Sequence, residues 1–264
     1  MMMLPTYPED ILSFFGIEEP SQIDIEAIAY NFGAHVRRAP LGGCEGRVLG
    51  IGNHAIITVN SASSVARQRF SIAHELGHWL KDRDLVLSRC HENALARSWG
   101  NNQKGSLREL RANKFASELL LPTIFFTRSI KGSAHTLTDC SRLADEFGAS
   151  LTAAAIRLVQ ANVSPAVVLF TERGRRVWFV RNSLVPERLW PSEQIGRGSV
   201  AADLIERSYP SGIHQEEVDV SHWFGRVEED KYFLIESSVS CAGGILTLLW
   251  WQDESHILAE LEDS

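Results

Sequence analysis

The sequence predicts an α+β protein, with helices and a few strands in its first half and an antiparallel sheet in its last third. Between residues 64 and 80, apolar side chains recur at helical spacing, directly after the β-branched run His54–Val59. From Pro165 onward the pattern changes to short strands separated by turns. The 264 residues are 44% hydrophobic, which suffices for a substantial core. The expected divisions are 1–130, a helical segment 131–163, and 164–264.

The first domain is expected to hold two long helices. The first covers residues 64–80, and a serine at 63 or 64 can cap its N-terminus. The second runs from 106 to 121 and is ended by Pro122. The strand that precedes the first helix could pair with an extended peptide, because main-chain hydrogen bonds hold a peptide without demanding its sequence.

The segment 131–163 is similar in pattern to a helix-turn-helix. Its helices are expected over 138–147 and 151–160, with Gly148 at the turn. The second helix offers few side chains that reach base edges. The residues therefore favour the alternative interpretation, a helical hairpin packed against the first domain.

The C-terminal domain is predicted to be a small α+β sensor or regulatory domain dominated by an antiparallel sheet. Two apolar runs flank Glu172–Arg175 and indicate a hairpin, and a helix is expected near 200–208. No motif in this stretch specifies a ligand. We expect this domain to restrain or direct the first one. Its predicted strands are 166–171, 176–181, 217–220, 232–237 and 245–251.

The segment His74-Glu75-Leu76-Gly77-His78 carries the strongest chemical signal. On a helix, His74 and His78 lie at i and i+4, so their imidazole nitrogens converge on one tetrahedral metal ion such as Zn²⁺. Glu75 lies about 100° further around the helix, where it reaches a water beside the metal. Such a carboxylate takes a proton from the water and returns it to a leaving amine. The spacing therefore predicts a zinc site with a general base.

The alternative to a metal site is a chance match on a solvated helix. A pattern of this kind arises by chance in roughly one in a hundred chains of this length. The neighbours Ala73, Leu76 and Gly77 are small or apolar, however. They favour a buried site over two surface histidines.

A third protein ligand is needed, and the residues leave several choices open. Asp84 is a weak candidate, because position 81 lacks the glycine that a sharp turn back requires. Glu109 on the second helix is the better candidate, although Ser106-x-x-Glu109 is also a capping box, in which the glutamate binds a backbone N–H. Asn113, one turn beyond Glu109, could orient a histidine or the carboxylate from the second shell. Spacing does not exclude Cys90, His91, Glu92 and Glu118.

Two spaced motifs lie on the two predicted helices: Arg69-Phe70-Ser71-Ile72-Ala73-His74-Glu75-Leu76-Gly77-His78 and Glu109-x-x-Ala112-Asn113-x-Phe115-Ala116-x-x-Leu119-Leu120-x-Pro122. Together they resemble the ImmA/IrrE family of bacterial zinc metallopeptidases. The upstream helix over 23–32 and the strand that ends at residue 60 fit the same pattern, so the resemblance covers roughly residues 10–160.

The resemblance implies a zincin-like metallopeptidase unit in which His74, His78 and Glu109 bind Zn²⁺ and Glu75 is the catalytic acid/base. It also implies a gluzincin-like endopeptidase that cleaves a partner repressor of the Xre helix-turn-helix type, in a mobile-element or stress-response circuit. The chain departs from the family in a long polar loop over about 82–105. We expect this loop to shape the cleft or the docking of the partner.

Composition and charge favour a cytoplasmic protein. The N-terminus lacks the basic and apolar regions of a signal peptide, and no apolar run approaches the length of a bilayer span. The formal net charge of −7 argues against direct nucleic-acid binding. A thiolate at position 44 is an alternative, inhibitory ligand for the zinc. Scattered spacing indicates reduced thiols at Cys44, Cys90, Cys140 and Cys241.

Two further function classes remain open. A non-catalytic regulator would hold structural zinc and bind a partner through its C-terminal domain, but a closed structural site needs no general base. A DNA-binding regulator would rest on the helix-turn-helix-like segment alone. The motifs favour a zinc-dependent endopeptidase over both.

Overall fold

A computed structural model gives the architecture of the chain. By their mutual contacts the residues divide into two compact units, Met1–Ser129 with Leu143–Ala153, and Ile130–Arg142 with Ala154–Ser264. The predicted boundaries at 130 and 163 stay a prediction. The structure describes residues 5–82, the backbone of 87–91, and residues 107–133, 135–206, 211–225, 233–241, 243–252 and 257.

The described residues form eight α-helices and nine β-strands, which confirms the α+β class. The helices are α1 (Pro8–Phe14), α2 (Ile25–Asn31), α3 (Val65–Lys81), α4 (Leu107–Leu120), α5 (Thr123–Ser129), α6 (Leu137–Phe147), α7 (Leu151–Gln160) and α8 (Val200–Glu206). The strands are β1 (Ala34–Ala39), β2 (Cys44–Ile51), β3 (His54–Asn60), β4 (Leu87–His91), β5 (Ala166–Glu172), β6 (Arg175–Arg181), β7 (Ile213–Asp219), β8 (Phe233–Cys241) and β9 (Gly244–Trp250).

The first unit contains a four-stranded sheet with the order β1-β3-β2-β4. β1 is parallel to β3, whereas β2 runs antiparallel to both β3 and β4. Ala55, Ile57 and Val59 alternate along β3 and are buried, as expected for a strand with one face on a core. Because β3 has a partner on each side, the prediction that this strand pairs with an extended substrate is wrong.

Helix α3 packs against β2 and β3. Ser64 caps its N-terminus by accepting a hydrogen bond of 3.3 Å from the backbone N–H of Arg67. Near its other end, the indole N–H of Trp79 donates to the carbonyl oxygen of Phe32 at 2.9 Å. The helix is buried from Ser71 to Trp79, so the histidine-glutamate motif lies in the interior of the unit.

Helix α4 packs directly on α3. The two helices approach closely at Gly77, where a Cβ atom would lie 3.0 Å from the Phe115 ring and 3.4 Å from the Cα atom of Ala112. A larger residue would meet a packed ring and a backbone atom, and close-packed interiors have little room to adjust. The missing side chain therefore sets the distance between the two helices that carry the predicted ligands.

The second unit is built on a five-stranded antiparallel sheet with the order β6-β5-β9-β8-β7. The predicted strands are present, although β7 begins at Ile213 rather than at residue 217. Polar side chains on this edge strand hide the alternation that marks the others. Helix α8 packs on β8. The core includes Val167, Leu169, Trp223, Phe224, Leu234, Leu249 and Trp251.

The two helices of the segment 131–163 lie where the sequence predicts them, as α6 and α7. Their interpretation as a helix-turn-helix stays a prediction. None of the described helices has the length and hydropathy that a membrane-spanning segment needs.

Candidate metal centre

Three side chains from two helices converge where α3 meets α4. His74 and His78 lie one turn apart on α3, and each is only 4% exposed. Their Nε2 atoms are 3.1 Å apart. Glu109, in the first turn of α4, places Oε2 3.3 Å from Nε2 of His74 and Oε1 3.4 Å from Nε2 of His78. The ligand atoms of the three residues lie within 4.8 Å of one another, an arrangement that could hold a metal ion.

The second nitrogen of each imidazole ring already has a partner. Nδ1 of His74 lies 2.8 Å from Oδ1 of Asn113, and Nδ1 of His78 lies 3.0 Å from Oδ2 of Asp82. Both oxygens accept, so each Nδ1 carries the proton and each Nε2 keeps its lone pair. Two lone pairs and a carboxylate therefore face one point. Such a set of acceptors needs a cation between its members.

The separations of these acceptor atoms suit a tetrahedral zinc ion. With zinc–ligand bonds of about 2.0–2.1 Å, two ligand atoms of a tetrahedron lie roughly 3.3–3.4 Å apart. Here the two Nε2 atoms are 3.1 Å apart, and they lie 3.3 and 3.4 Å from the two oxygens of the Glu109 carboxylate. Two imidazole nitrogens and one carboxylate oxygen are also a donor set of catalytic zinc sites, which leave a fourth position open for water. The residues present therefore fit zinc.

The mutual contacts of the cluster shift two pKa values in opposite directions. Burial alone would lower the pKa of His78, but hydrogen bonds with Glu109 and Asp82 and the charge of Glu75 raise it above its ordinary value. Burial alone would raise the pKa of Glu109, but when a proton occupies Nε2 in place of a metal ion, hydrogen bonds from His74 and His78 hold that pKa well below its usual range. The carboxylate is therefore ionised at neutral pH, and a proton on His78 competes with a metal ion for this site.

Glu75 lies beside the cluster and is fully buried. Its carboxylate packs between α3 and β2: a Cβ atom on Gly46 would lie 3.0 Å from Oε1 of Glu75 and 3.4 Å from Cβ of Ser71. A side chain at position 46 would therefore displace the carboxylate. The charge of Glu75 contributes to the raised pKa of His78, so it lies within electrostatic reach of the metal ligands.

The other ligand candidates do not join this cluster within the described residues. Glu118, near the end of α4, lies 3.6 Å from the ammonium group of Lys114. Cys44, Cys140 and Cys241 are free thiols. The other candidate ligands predicted from the sequence, and the serine of the predicted capping box, lie outside the described residues or have side chains outside them. They are Asp84, Cys90, His91, Glu92 and Ser106.

Asp82 is absent from the sequence prediction, although it contacts a predicted ligand. It follows the last residue of α3, binds His78, and accepts a hydrogen bond of 3.1 Å from the Arg111 guanidinium. Asp82 lies at i+4 from His78, so the spacing that predicts the histidine pair also contained this signal. The contact of Gly46 with Glu75 had no such signal, because it joins a strand to a helix far along the chain.

A family comparison matches the segment that contains these residues. Residues 29–159, about half of the chain, match the IrrE N-terminal-like domain of the peptidase M78 family. The chain belongs to this family. The predicted resemblance to ImmA/IrrE proteins is thereby confirmed, and the three clustered side chains all fall inside the IrrE N-terminal-like domain. No curated protein matches the chain significantly.

A solved structure resembles the chain well beyond the IrrE N-terminal-like domain. A Mycobacterium tuberculosis transcriptional regulator aligns with 97% of this chain and 78% of its own length, with a TM-score of 0.61 and 16% sequence identity. At this identity the likeness shows a shared fold alone. The second unit, which lies largely outside the family match, therefore also has a counterpart of known structure.

Proposed function

We propose that the chain is a zinc-dependent endopeptidase of the gluzincin-like type, whose substrate is a partner repressor of the Xre helix-turn-helix type. One observation carries the enzymatic part of this proposal. Two imidazole nitrogens and a carboxylate converge at separations close to those of zinc ligands, and the residue next to the first histidine is a buried glutamate. A structural zinc site would need neither an open position nor an acid/base group.

Glu75 is the proposed acid/base. A zinc ion held by His74, His78 and Glu109 would supply Lewis-acid chemistry to the scissile carbonyl and to water. Glu75 accepts the proton that the attacking water releases and donates it to the leaving amine. Gly46 leaves room for the carboxylate beside β2, because a Cβ atom at this position would lie 3.0 Å from Oε1. The backbone of β2 therefore packs closely against the acid/base residue.

Asn113 and Asp82 are the proposed positioning residues. Each accepts from the Nδ1 of one histidine, which fixes the tautomer and the direction in which Nε2 points. Arg111 holds Asp82 from its other side at 3.1 Å. The two rings are therefore oriented before a metal ion binds.

The choice of substrate rests on the family and on charge. Proteins of the ImmA/IrrE family are proposed to cleave Xre-type repressors. The chain carries a net charge of −7, and a DNA-binding repressor carries basic surface, so electrostatic steering would speed their encounter. A regulatory second unit would be consistent with a protease that acts on a transcription factor.

The decisive variant is Glu75→Gln, which keeps the size of the side chain and replaces the basic carboxylate with a neutral amide. The substrate is the purified product of the nearest gene for an Xre-type repressor, and cleavage is followed together with the zinc content. We expect one equivalent of zinc in the variant and a rate of cleavage lower by roughly a hundred- to ten-thousand-fold. Glu118→Gln removes a carboxylate from α4 away from the cluster and should cleave like the wild type.

Different outcomes separate the parts of the proposal. Cleavage by Glu75→Gln at the wild-type rate would contradict the role of Glu75 and favour a non-catalytic regulator. An intact repressor after incubation with the zinc-loaded wild type would show that the substrate is wrong. Purified wild type without bound zinc, even after incubation with Zn²⁺, would exclude the metal.

A further inference from the structure

Strand β4 extends the sheet of the first unit on the side of β2 that faces away from β3. It runs antiparallel to β2, with Ser88 opposite Val48 and Leu87 opposite Leu49. The other three strands of this sheet precede α3 in the chain, whereas β4 follows it. β4 lies within the polar segment over about 82–105 by which the chain departs from its family.

β2, the partner of β4, is the strand next to the proposed acid/base. A Cβ atom on Gly46 would lie 3.0 Å from Oε1 of Glu75, and a Cβ atom on Gly50 would lie 2.6 Å from the ring of Trp79. These two close approaches show that α3 runs along β2. The Glu75 carboxylate therefore lies against the backbone of β2.

The metal ligands lie on the side of α3 that faces away from β1. Around the helix axis, His74 and His78 lie roughly 100° and 60° to one side of Glu75, and Trp79 lies roughly 40° to the other side. The Trp79 indole donates to the carbonyl oxygen of Phe32, directly after α2, and α2 packs on β1. Because the sheet order is β1-β3-β2-β4, the two histidines face the side on which β4 lies.

An extended peptide that reaches both Glu75 and the metal ligands would therefore run along the side of β2 that faces away from β3. The N–H and C=O groups on that side would hold it by main-chain hydrogen bonds, as an added strand. β4 occupies this side of β2 from Leu87 to His91. The chain's own strand and an extended substrate therefore compete for the same backbone groups.

We infer that β4 is an autoinhibitory strand, which takes the position of an extended substrate on β2 and leaves it when a substrate binds. This inference rests on the proposed peptidase function and adds a regulation of the same site. Within the described residues β4 pairs with β2 alone, and strands held on one side open at low cost. A β-bulge between Cys44 and Arg47 also interrupts the pairing in the segment that contains Gly46.

Hydrogen exchange followed by mass spectrometry shows whether β4 leaves β2. The full-length Glu75→Gln variant, loaded with zinc, is mixed with ribonuclease A that has been reduced and carboxamidomethylated. This probe is an unfolded basic polypeptide, and main-chain pairing does not demand a particular sequence. We expect the probe to speed exchange in β4 by at least about tenfold and to leave β2 protected, because the probe replaces β4.

A disulfide that holds β4 on β2 tests the same point by cleavage. Cys44 lies opposite His91 in the register, and opposite residues of antiparallel strands have Cα atoms about 4.5–5.5 Å apart, within the range of a disulfide. His91→Cys is made together with Cys90→Ser, which removes a competing thiol. The oxidised protein should keep its zinc and cleave the repressor at least about tenfold more slowly than the reduced protein. With Cys44→Ser added, oxidation should have no effect.

The outcomes separate this inference from the proposed function. Slower exchange in β4 with the probe would show that a peptide adds to the outer edge of β4, and the inference would be wrong. Unchanged exchange in β4, or equal cleavage by the oxidised and reduced proteins, would also overturn it. Faster exchange in β4 beside a repressor that stays intact would support the inference and contradict the proposed substrate. The exchange experiment needs no substitution in β4, so it decides the matter even if His91→Cys fails to fold.

Discussion

Glu236 in the second unit and Glu109 in the first each lie in a polar cluster, and the two clusters consist of opposite kinds of hydrogen-bonding partner. In the second unit, Glu236 is fully buried and accepts four hydrogen bonds. Its Oε1 accepts from the Ala201 backbone N–H and the Ser238 hydroxyl, both at 2.8 Å. Its Oε2 accepts from the Val200 backbone N–H at 3.1 Å and the Trp223 indole N–H at 2.9 Å. All four of these partners are donors.

Glu109 in the first unit faces two acceptors instead. Both Nε2 atoms present lone pairs to it, so the cluster is complete only when a cation is present. The pKa values of the two carboxylates also shift in opposite directions. Burial raises the pKa of Glu236, and its four donors offset only part of that rise. Contacts with ionisable rings lower the pKa of Glu109 far below its usual range, despite its partial burial.

The comparison separates a structural carboxylate from a candidate site without reference to a motif. A carboxylate surrounded by donors has its hydrogen-bonding capacity filled and needs no ligand. Converging acceptors repel one another and attract a metal ion or a proton. Burial alone would have ranked Glu236 above Glu109 as a functional residue, and the chemistry of the neighbours reverses that order.

The largest expected effect is the loss of zinc from Glu109→Ala. Removing one of three protein ligands should weaken zinc binding on the order of a thousandfold, since a whole site contributes about 10–16 kcal/mol. Zinc content after dialysis measures it, with Glu118→Ala as the control on the same helix. If Glu109→Ala retained a full equivalent, the acceptor cluster would not be the metal site.

Glu236→Gln should act on folding instead. The amide nitrogen of glutamine must face two of the four donors, which leaves them unpaired and destabilises the second unit by about 3 kcal/mol, on the order of a hundredfold. Urea unfolding followed by tryptophan fluorescence reports the change. Glu216→Gln, at an exposed position of the adjacent strand β7, should have little effect. Unchanged stability in Glu236→Gln would break the contrast drawn between the two carboxylates.

The smallest expected effect concerns the residues that hydrogen-bond to the metal ligands or to the partners of those ligands. Asp82→Ala removes the acceptor of the His78 Nδ1 proton and should weaken zinc binding about ten- to a hundredfold. Arg111 forms an ion pair with Asp82, and its side chain is 60% exposed. Arg111→Ala should therefore change zinc affinity by only a few-fold, because exposed ion pairs contribute about 1 kcal/mol or less. Competition with a chelator of known affinity measures both, and equal effects of the two variants would contradict the role given to Asp82.

The part of the metal centre that lies on a single helix was predictable from the sequence. His74, Glu75 and His78 are related by helical geometry alone, so their spacing is sufficient. Choosing Glu109 as the third ligand required the resemblance to a family, because the sequence of neither helix specifies the distance between the two. The mixed fold and most strand positions were also predictable, since alternation and turn residues are local signals.

The features that escaped prediction depend on contacts between distant segments. Gly46 on β2 leaves room for Glu75 on α3, and nothing near position 46 indicates this contact. Glu236 lies on a strand among serines and looks like a solvated residue until its donors are seen. The interior position of β3 follows from strand order, which the sequence pattern does not specify.

The close approach of α3 and α4 at Gly77 bears on how such a site could be transplanted. An engineer who copies only the two histidines and the distant glutamate onto another pair of helices would reproduce the chemistry but not the separation. A methyl group at the position of Gly77 would press on Phe115 and tend to force the helices apart, withdrawing the carboxylate from the imidazoles. Gly77 must therefore be copied with the ligands, because it sets the distance between the helices although it takes no part in the chemistry.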